Sequence, residues 1–345
     1  MELDDRKKHI LKILINDYIK TAEPIGSRTI AKKPGIGISP ATIRNEMADL
    51  EDMGYLEQPH TSAGRIPSDK GYRIYVDYLM SDFELSQDEV NLIKNNVYKV
   101  TLGEIDRIVK DTTKILSALT NYTALVVPPQ MSKTTIKHIQ LVAMDSMNIL
   151  AVVVTNIGVV KSVMIKLTKP ITTGRLTTIN NIMNDKLKGL TIEDINLKII
   201  SDMLKGMTGY SEILNEIVPV LYESLKCIDV DEVYLEGSSN IFNYPEYNAI
   251  DKAKSFLAVL ESKDFFKKMM FNDNDSVKIS IGHENEIDAI NDCSLITTTY
   301  KIGDDIVGSI GIIGPTRMYY SKVLAVLNNI TDCLSDLLTE YYMDE

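Results

Sequence analysis

Thr42, Arg44 and Asn45 lie near the start of the stretch Ser39–Met53, and every acid of that stretch, Glu46, Asp49, Glu51 and Asp52, comes after them. These residue types suit the edges of nucleic-acid bases. An arginine at position 44 can form paired hydrogen bonds to guanine and an asparagine at 45 to adenine. Ala41 is small enough to allow close approach or to touch a thymine methyl. A helix entering the major groove presents its N-terminal residues to the bases and carries partial positive charge there. Acids at the far end then stay clear of phosphate. A plain solvated helix face can have the same composition. The loop beyond the helix makes the difference: "PHTSAGR", residues 59–65, is too polar for a core and holds His60, Thr61, Ser62 and Arg65 where a loop can lie along the sugar–phosphate backbone or in the minor groove.

The elements that position these residues are marked in the chain. Ser39 is an N-cap followed by Pro40 at the first helical position, and Gly54 is placed to end the helix. On a helical wheel Ile43, Met47 and Leu50 fall within about 60° of one another and form the buried stripe. Upstream, residues 4–20 have apolar residues at helical spacing, Ser27 suits the N-cap of a short second helix, and "PGIGI" (34–38) is a turn. Downstream, "YLEQ" and "RIPS" suit two short strands about the loop, and Ser68 suits the cap of a further helix. Residues 1–80 therefore form a winged helix-turn-helix DNA-binding domain. Its expected DNA-facing residues are Ser39, Ala41, Thr42, Arg44, Asn45, His60, Thr61, Ser62 and Arg65.

The remainder alternates sheet and helix. Residues 86–119 begin with the capping box Ser86-x-x-Glu89 and read as helix, broken near Gly103. Residues 138–167 read as three strands, with turns at 145–148 and 156–158. Residues 186–272 are mostly helical, and the stripe Ile213, Leu214, Ile217, Val218, Leu221, Leu225 suits either a dimer seam or a core. Strands return at 277–281, 295–300 and 306–313 before a closing helix from about Arg317 to Tyr342. A β-rich module interrupted by a helical block suggests an insertion, with 138–167 and 277–313 in one split sheet. The domains expected are 1–80; 81–185 with 273–345; and an inserted 186–272. The fold class is α+β.

Composition narrows the function. The 345 residues carry a net charge of −11, but residues 1–80 hold 12 basic and 12 acidic side chains. The other 25 basic and 36 acidic ones account for the whole excess. A neutral module on an acidic body is the part suited to a polyanion. No apolar run is long enough to span a bilayer, and a soluble cytoplasmic protein is expected. Cys227, Cys293 and Cys333 lack disulfide or zinc spacing and suit buried thiols. His138 and His283 have no nucleophile or metal-ligand partner at diagnostic spacing, so no enzyme, cofactor or metal site is expected. "GPTRMYY" (314–320) suits either an anion cradle or a strand-to-helix turn stopped by Pro315.

The run "ATIRNEMADLEDMGYLEQPHTSAGRIPSDKGYRIYVDYL" (41–79) closely resembles the N-terminal module of the HrcA family of bacterial heat-inducible transcription repressors. The resemblance continues in "IGHEN" (281–285), "GSIGIIGPTRMYYSKV" (308–323) and "EGSSNIFNYPEY" (236–247), so it covers most of the chain and is weakest over 170–230. It implies a winged helix, a GAF-like α/β domain split by an insertion, and an inserted domain that makes a homodimer. It further implies repression of chaperone operons through an inverted-repeat operator in double-stranded DNA, with the chaperonin keeping the repressor active. GAF-like domains often hold small ligands, so a winged-helix repressor controlled by a small molecule is the alternative; a ligand-free scaffold is the better expectation, since the strand alternation over 295–313 is what a half-buried pair needs anyway.

Overall fold

The structure, a computed structural model, describes residues 3–60, 63–98, 105–129, 135–156, 160–191, 194–195, 210–227, 233–262, 269–270, 276–303 and 305–343. Helix α1, Asp5–Thr21, is capped by the Asp4 carboxylate, which accepts from the Lys7 backbone N–H at 2.8 Å. It buries Ile10, Leu11, Leu14, Ile15 and Ile19. Helix α2 spans Ser27–Ala31, and its N-cap is Gly26 rather than Ser27. Ser27 is one residue inside and buried, because the chain enters the helix from a β-bridge at Ile25.

Helix α3, Pro40–Asp52, begins at Ser39, whose hydroxyl accepts from the Thr42 N–H. It ends as the sequence requires: Gly54 has φ +79°, its N–H bonds to Glu51 O, and the Tyr55 N–H bonds to Leu50 O. Only glycine adopts that left-handed turn without strain. Ile43 and Leu50 are fully buried, each contributing about 1.5–3 kcal/mol of transfer free energy. Strands β1, Leu56–Glu57, and β2, Ile66–Pro67, pair antiparallel, and Ile25 adds a bridge to Arg65 beside them. Ser68 caps α4, Asp69–Ile74, which continues as one wider turn over Tyr75–Leu79.

In the body, α5, Gln87–Val97, carries the complete Ser86/Glu89 capping box, and α6, Ile105–Thr120, follows it; Gly103 lies outside the described residues. A five-stranded antiparallel sheet has the order β7 (Tyr234–Glu236), β3 (Thr123–Val127), β10 (Asp305–Pro315), β9 (Cys293–Ile302), β8 (Lys278–Ile281). One face packs on the closing helix α10, Tyr320–Met343, through Ile296, Tyr300, Ile310 and Ile312 against Val323, Val326, Leu327 and Ile330, in a core that runs on into α1 and α3. The opposite face, with Leu125, Val127, Leu295 and Ile313, is covered by α9, Ile250–Leu260.

The expected split sheet is not formed. Strands β4 (Ile136–Ala143), β5 (Asn148–Thr155) and β6 (Val160–Lys166) make a separate three-stranded sheet. Its core is closed by α7, Thr173–Leu187, and α8, Ser211–Cys227. Ile213, Leu214, Ile217, Val218 and Leu221 belong to that core, which settles their role; the Leu225 side chain lies outside the described residues. The interruption of the large sheet thus begins before β4 and contains strands, rather than being a mostly helical block over 186–272. The helix α9 from that block belongs to the large sheet instead. Alternation of apolar residues identifies a strand and its buried face but not its partner strand, and both sheets are built from similar β-branched runs.

Two asparagines close one edge of the small sheet. The Asn184 carbonyl oxygen accepts from the Ile139 N–H at 2.8 Å, its amide donates to Ile139 O, and the Asn180 oxygen accepts from the Leu141 N–H at 2.8 Å. Helix α7 thereby supplies side-chain partners to β4 in place of a further strand.

Candidate nucleic-acid interface

The first turns of α3 present Ala41, Arg44 and Asn45 to solvent, with Thr42 half-buried and Ile43, Met47 and Leu50 turned inward. The four orphan N–H groups of a helix start favour an anion at this end, and no acid occupies the first turn. Ser39 and Thr42 are partly committed to the cap, with their hydroxyls 3.0 Å apart. Among the described residues neither Arg44 nor Asn45 uses its side chain in a hydrogen bond or ion pair. Both are therefore available to an external partner.

Two of the acids further along, Glu46 and Asp49, are paired within the domain. Lys7 on α1 lies 2.7 Å from Glu46 and 3.1 Å from Asp49, and Arg6 lies 3.3 Å from Glu46. The hydrogen bond to Glu46 raises the Lys7 pKa above its ordinary value, with Asp49 adding to the effect. Pairing reduces the negative field along the helix that would oppose a phosphate backbone.

The loop after β1 folds back as a wing. His60 is exposed at its tip, where its carbonyl accepts from the Ala63 N–H at 2.9 Å. Thr61 and Ser62, expected at the same tip, lie outside the described residues. Gly64 passes so close to Ile25 that a Cβ would come 2.4 Å from the Ile25 carbonyl oxygen. Arg65 sits at the wing's base rather than its tip. Its backbone N–H and C=O both bond to Ile25 at 2.9 Å, and its guanidinium binds Glu51 through Nε at 2.8 Å and Nη2 at 2.7 Å.

Between α2, α3 and the wing lies a cleft of about 700 Å³ lined by Gly26, Arg28, Arg44, Gln58, Gly64 and Arg65, among others. Three arginines converge there from three elements. Arg28, exposed on α2 without a side-chain hydrogen bond or ion pair among the described residues, is a member the sequence reading missed. The available signal was its place on the first helix of a helix-turn-helix, the one that crosses the backbone.

A family model described as "Winged helix-turn-helix transcription repressor, HrcA DNA-binding" matches residues 2–77, and one described as "HrcA protein C terminal domain" matches residues 106–324. The chain belongs to the HrcA family of heat-inducible transcription repressors. Curated relatives carrying the name "Heat-inducible transcription repressor HrcA" include one from Clostridium tetani, 49% identical over 341 residues, 99% of this chain and 97% of the relative. Another, from Clostridium perfringens strain 13, is 48% identical over 336 residues, 97% of this chain and 99% of the relative. A crystal structure described as that of a hypothetical protein aligns over 99% of this chain and 100% of its own at a TM-score of 0.65 and 24% identity, a likeness of fold. As an HrcA-family repressor the chain carries a DNA-binding domain, and the exposed ends of α3 and the wing are the surfaces of that domain whose residue types suit DNA.

Proposed function

We propose that this HrcA-family chain is a cytoplasmic homodimer that represses chaperone operons by binding an inverted-repeat operator, with Arg44 and Asn45 on base edges and Arg28, His60 and the wing on the backbone. The observation that carries the reading is the cleft between α2, α3 and the wing, in which the exposed Arg28 and Arg44 converge with Arg65 of the wing base.

Dimerisation is assigned to the unit built on β4–β6. The sheet face turned away from α7 and α8 carries one wholly apolar row, in which Val142, Leu150 and Met164 stand side by side across the three strands, beside Val152, Val154 and Val160 in the next two rows. Val142, Met144, Val160 and Met164 are 42–59% exposed. A patch of this kind suits a second copy related by a two-fold axis, and two weak half-site contacts then combine.

Control by the chaperonin rests on folding topology. Val127 in β3 pairs with Ser309 in β10, and the whole β4–β6 unit must be accommodated between them. Non-local pairing of this kind is slow and leaves strand edges exposed before it completes. A chaperonin that rescues such intermediates sets the amount of active repressor, and heat-damaged proteins compete for it. One observation favours small-molecule control instead: Thr299 and Ser309, cross-strand neighbours, are buried with hydroxyls that have no hydrogen-bond partner among the described residues.

Footprinting of the purified chain on DNA upstream of chaperone genes tests the operator. Refolding with and without chaperonin and ATP tests the supply of active repressor. A protected inverted repeat and a chaperonin-dependent operator-competent fraction are expected. A metabolite that shifts the melting temperature and changes operator affinity would transfer the control to the large sheet.

A further inference from the structure

The segment "IGHEN" is absorbed neither by the DNA surface nor by the dimer, and it touches the DNA-binding domain directly. The turn Gly282–Glu284 follows β8 and receives α4. Asp69, the first residue of α4, accepts a hydrogen bond from the His283 backbone N–H at 2.9 Å, and its Oδ2 lies 2.7 Å from His283 Nδ1. One turn later Arg73 donates to Glu284 through Nε at 2.8 Å and through Nη2, which also reaches the Ile279 carbonyl at 2.7 Å. The turn is shaped around the Asp69 carboxylate: Gly282 has φ +55°, and a Cβ there would come 2.1–2.2 Å from the carboxylate atoms.

Each side of this contact is rigidly held. On the body side the buried Asn285 amide donates to the carbonyls of Gly282 (2.8 Å), Ile290 (3.2 Å) and Cys293 (2.9 Å), fixing the turn to the start of β9. On the domain side α4 starts at Ser68, whose hydroxyl donates to Gly54 O at 2.6 Å, and Lys70 Nζ donates to Met53 O at 2.8 Å. Both carbonyls belong to the C-terminal end of α3. A second contact lies at Arg317, which donates to Ile19 O at 2.7 Å at the end of α1 and is held by Glu246 at 2.5 Å.

The apolar core shared by the domain and the body resists separation but is non-directional, whereas charged hydrogen bonds fix direction. We propose that the Gly282–Glu284 turn is a latch that fixes the orientation of the DNA-binding domain on the body and thereby sets the half-site spacing the dimer accepts. The path runs from the turn through Asp69 and Arg73 to α4, and from α4 to the wing base and the end of α3. The spacing claim rests on the proposed operator binding; the orientation claim does not.

The test uses full-length chain bearing spin-labelled amino acids at Glu23 and Asn328, both exposed, diluted into unlabelled chain so that only distances within one chain are read. The native chain gives one narrow distance distribution, and His283→Ala/Glu284→Ala gives a broad one. The charge-swapped pair Arg73→Glu/Glu284→Arg narrows it again relative to Arg73→Glu alone, and melting curves confirm that each variant is folded. On inverted repeats of varied spacer, native affinity falls about tenfold or more away from the best spacing, and the latch variant loses that dependence. An unchanged distance distribution in the folded His283→Ala/Glu284→Ala protein overturns the latch, and a broadened one with an unchanged spacing profile overturns its role at the operator. If the native chain binds no inverted repeat while the distances respond as stated, the latch stands and the operator reading fails.

Discussion

Arg65 binds Glu51 through both Nε and Nη2, tying the base of the wing to the last turn of α3. Two of its guanidinium nitrogens are thereby committed to a carboxylate within the domain, and Arg65 is expected chiefly to hold the wing. Both groups are partly screened, and Arg65→Ala is expected to cost about 1 kcal/mol of stability. A double-mutant cycle with Glu51→Ala, read by thermal melting, should show coupling between the two. If Arg65→Ala leaves melting unchanged yet lowers the salt slope of DNA binding by about one unit, Arg65 is a phosphate contact instead.

Arg44 is in the opposite situation, exposed and without an internal partner among the described residues. Arg44→Ala should lower operator affinity by about 1–3 kcal/mol and relax selectivity at one base position, with little change on random DNA. Equal weakening on both would assign Arg44 to the backbone.

Gly64 has no room for a side chain, since the Ile25 carbonyl occupies the space of a Cβ. Gly64→Ala must push the wing strand off Ile25 and break the two backbone bonds between Ile25 and Arg65. An overpacking cost of about 1–3 kcal/mol is expected, with operator binding lost at temperatures where the domain is still folded. Comparing far-ultraviolet melts with binding isotherms of this variant checks the point, and full operator affinity would show that the wing is not needed.

Helix α3 was legible because both its ends are chemically marked, by Ser39 and Pro40 and by Gly54, and because the Ile43, Met47, Leu50 stripe has a single interpretation. The capping box at Ser86 was legible for the same local reason. What escaped was non-local. Which strands pair with β10 is decided by β3 far upstream, and nothing in the β-branched runs of β4–β6 distinguishes them from the strands of the large sheet. The use of Asn180 and Asn184 as substitutes for a strand depends on where α7 docks. Arg28 joins a site only because α2, α3 and the wing meet around one cleft, and "IGHEN" carries no sign that its partners are Asp69 and Arg73.

His283 connects the domain interface to pH. Its hydrogen bond to Asp69, reinforced by the charges of Asp69, Asp292 and Glu57, raises the imidazole pKa above its ordinary value. A raised folded-state pKa means that this contribution to the interface is complete below the unfolded value of about 6.5 and is lost as pH rises through the folded value. The pair Arg73 and Glu284 stays charged throughout that range. The distance distribution between the labelled domains should therefore broaden in part as pH is raised from about 6.5 upward, and His283→Ala should remove the pH dependence. A distribution that narrows on raising pH would contradict the sign.

The outer face of β4–β6 should carry the dimer. Replacing Met164 by Glu, or Val142 by Lys, places a charge within a registered apolar row and should shift sedimentation from dimer to monomer while leaving the melting of the DNA-binding domain unchanged. An unaltered dimer in the doubly substituted chain would move the interface elsewhere.

The most direct test is a salt-dependent titration of the intact chain on three DNAs: the inverted repeat found upstream of a chaperone operon, one isolated half-site, and a scrambled duplex. A dimer using one recognition helix per half-site should bind the full repeat about 100-fold or more tighter than the half-site, with a steep salt slope for the repeat and weak binding to the scramble. Equal affinity for the repeat and the half-site, or for the repeat and the scramble, would contradict a dimeric operator-reading repressor.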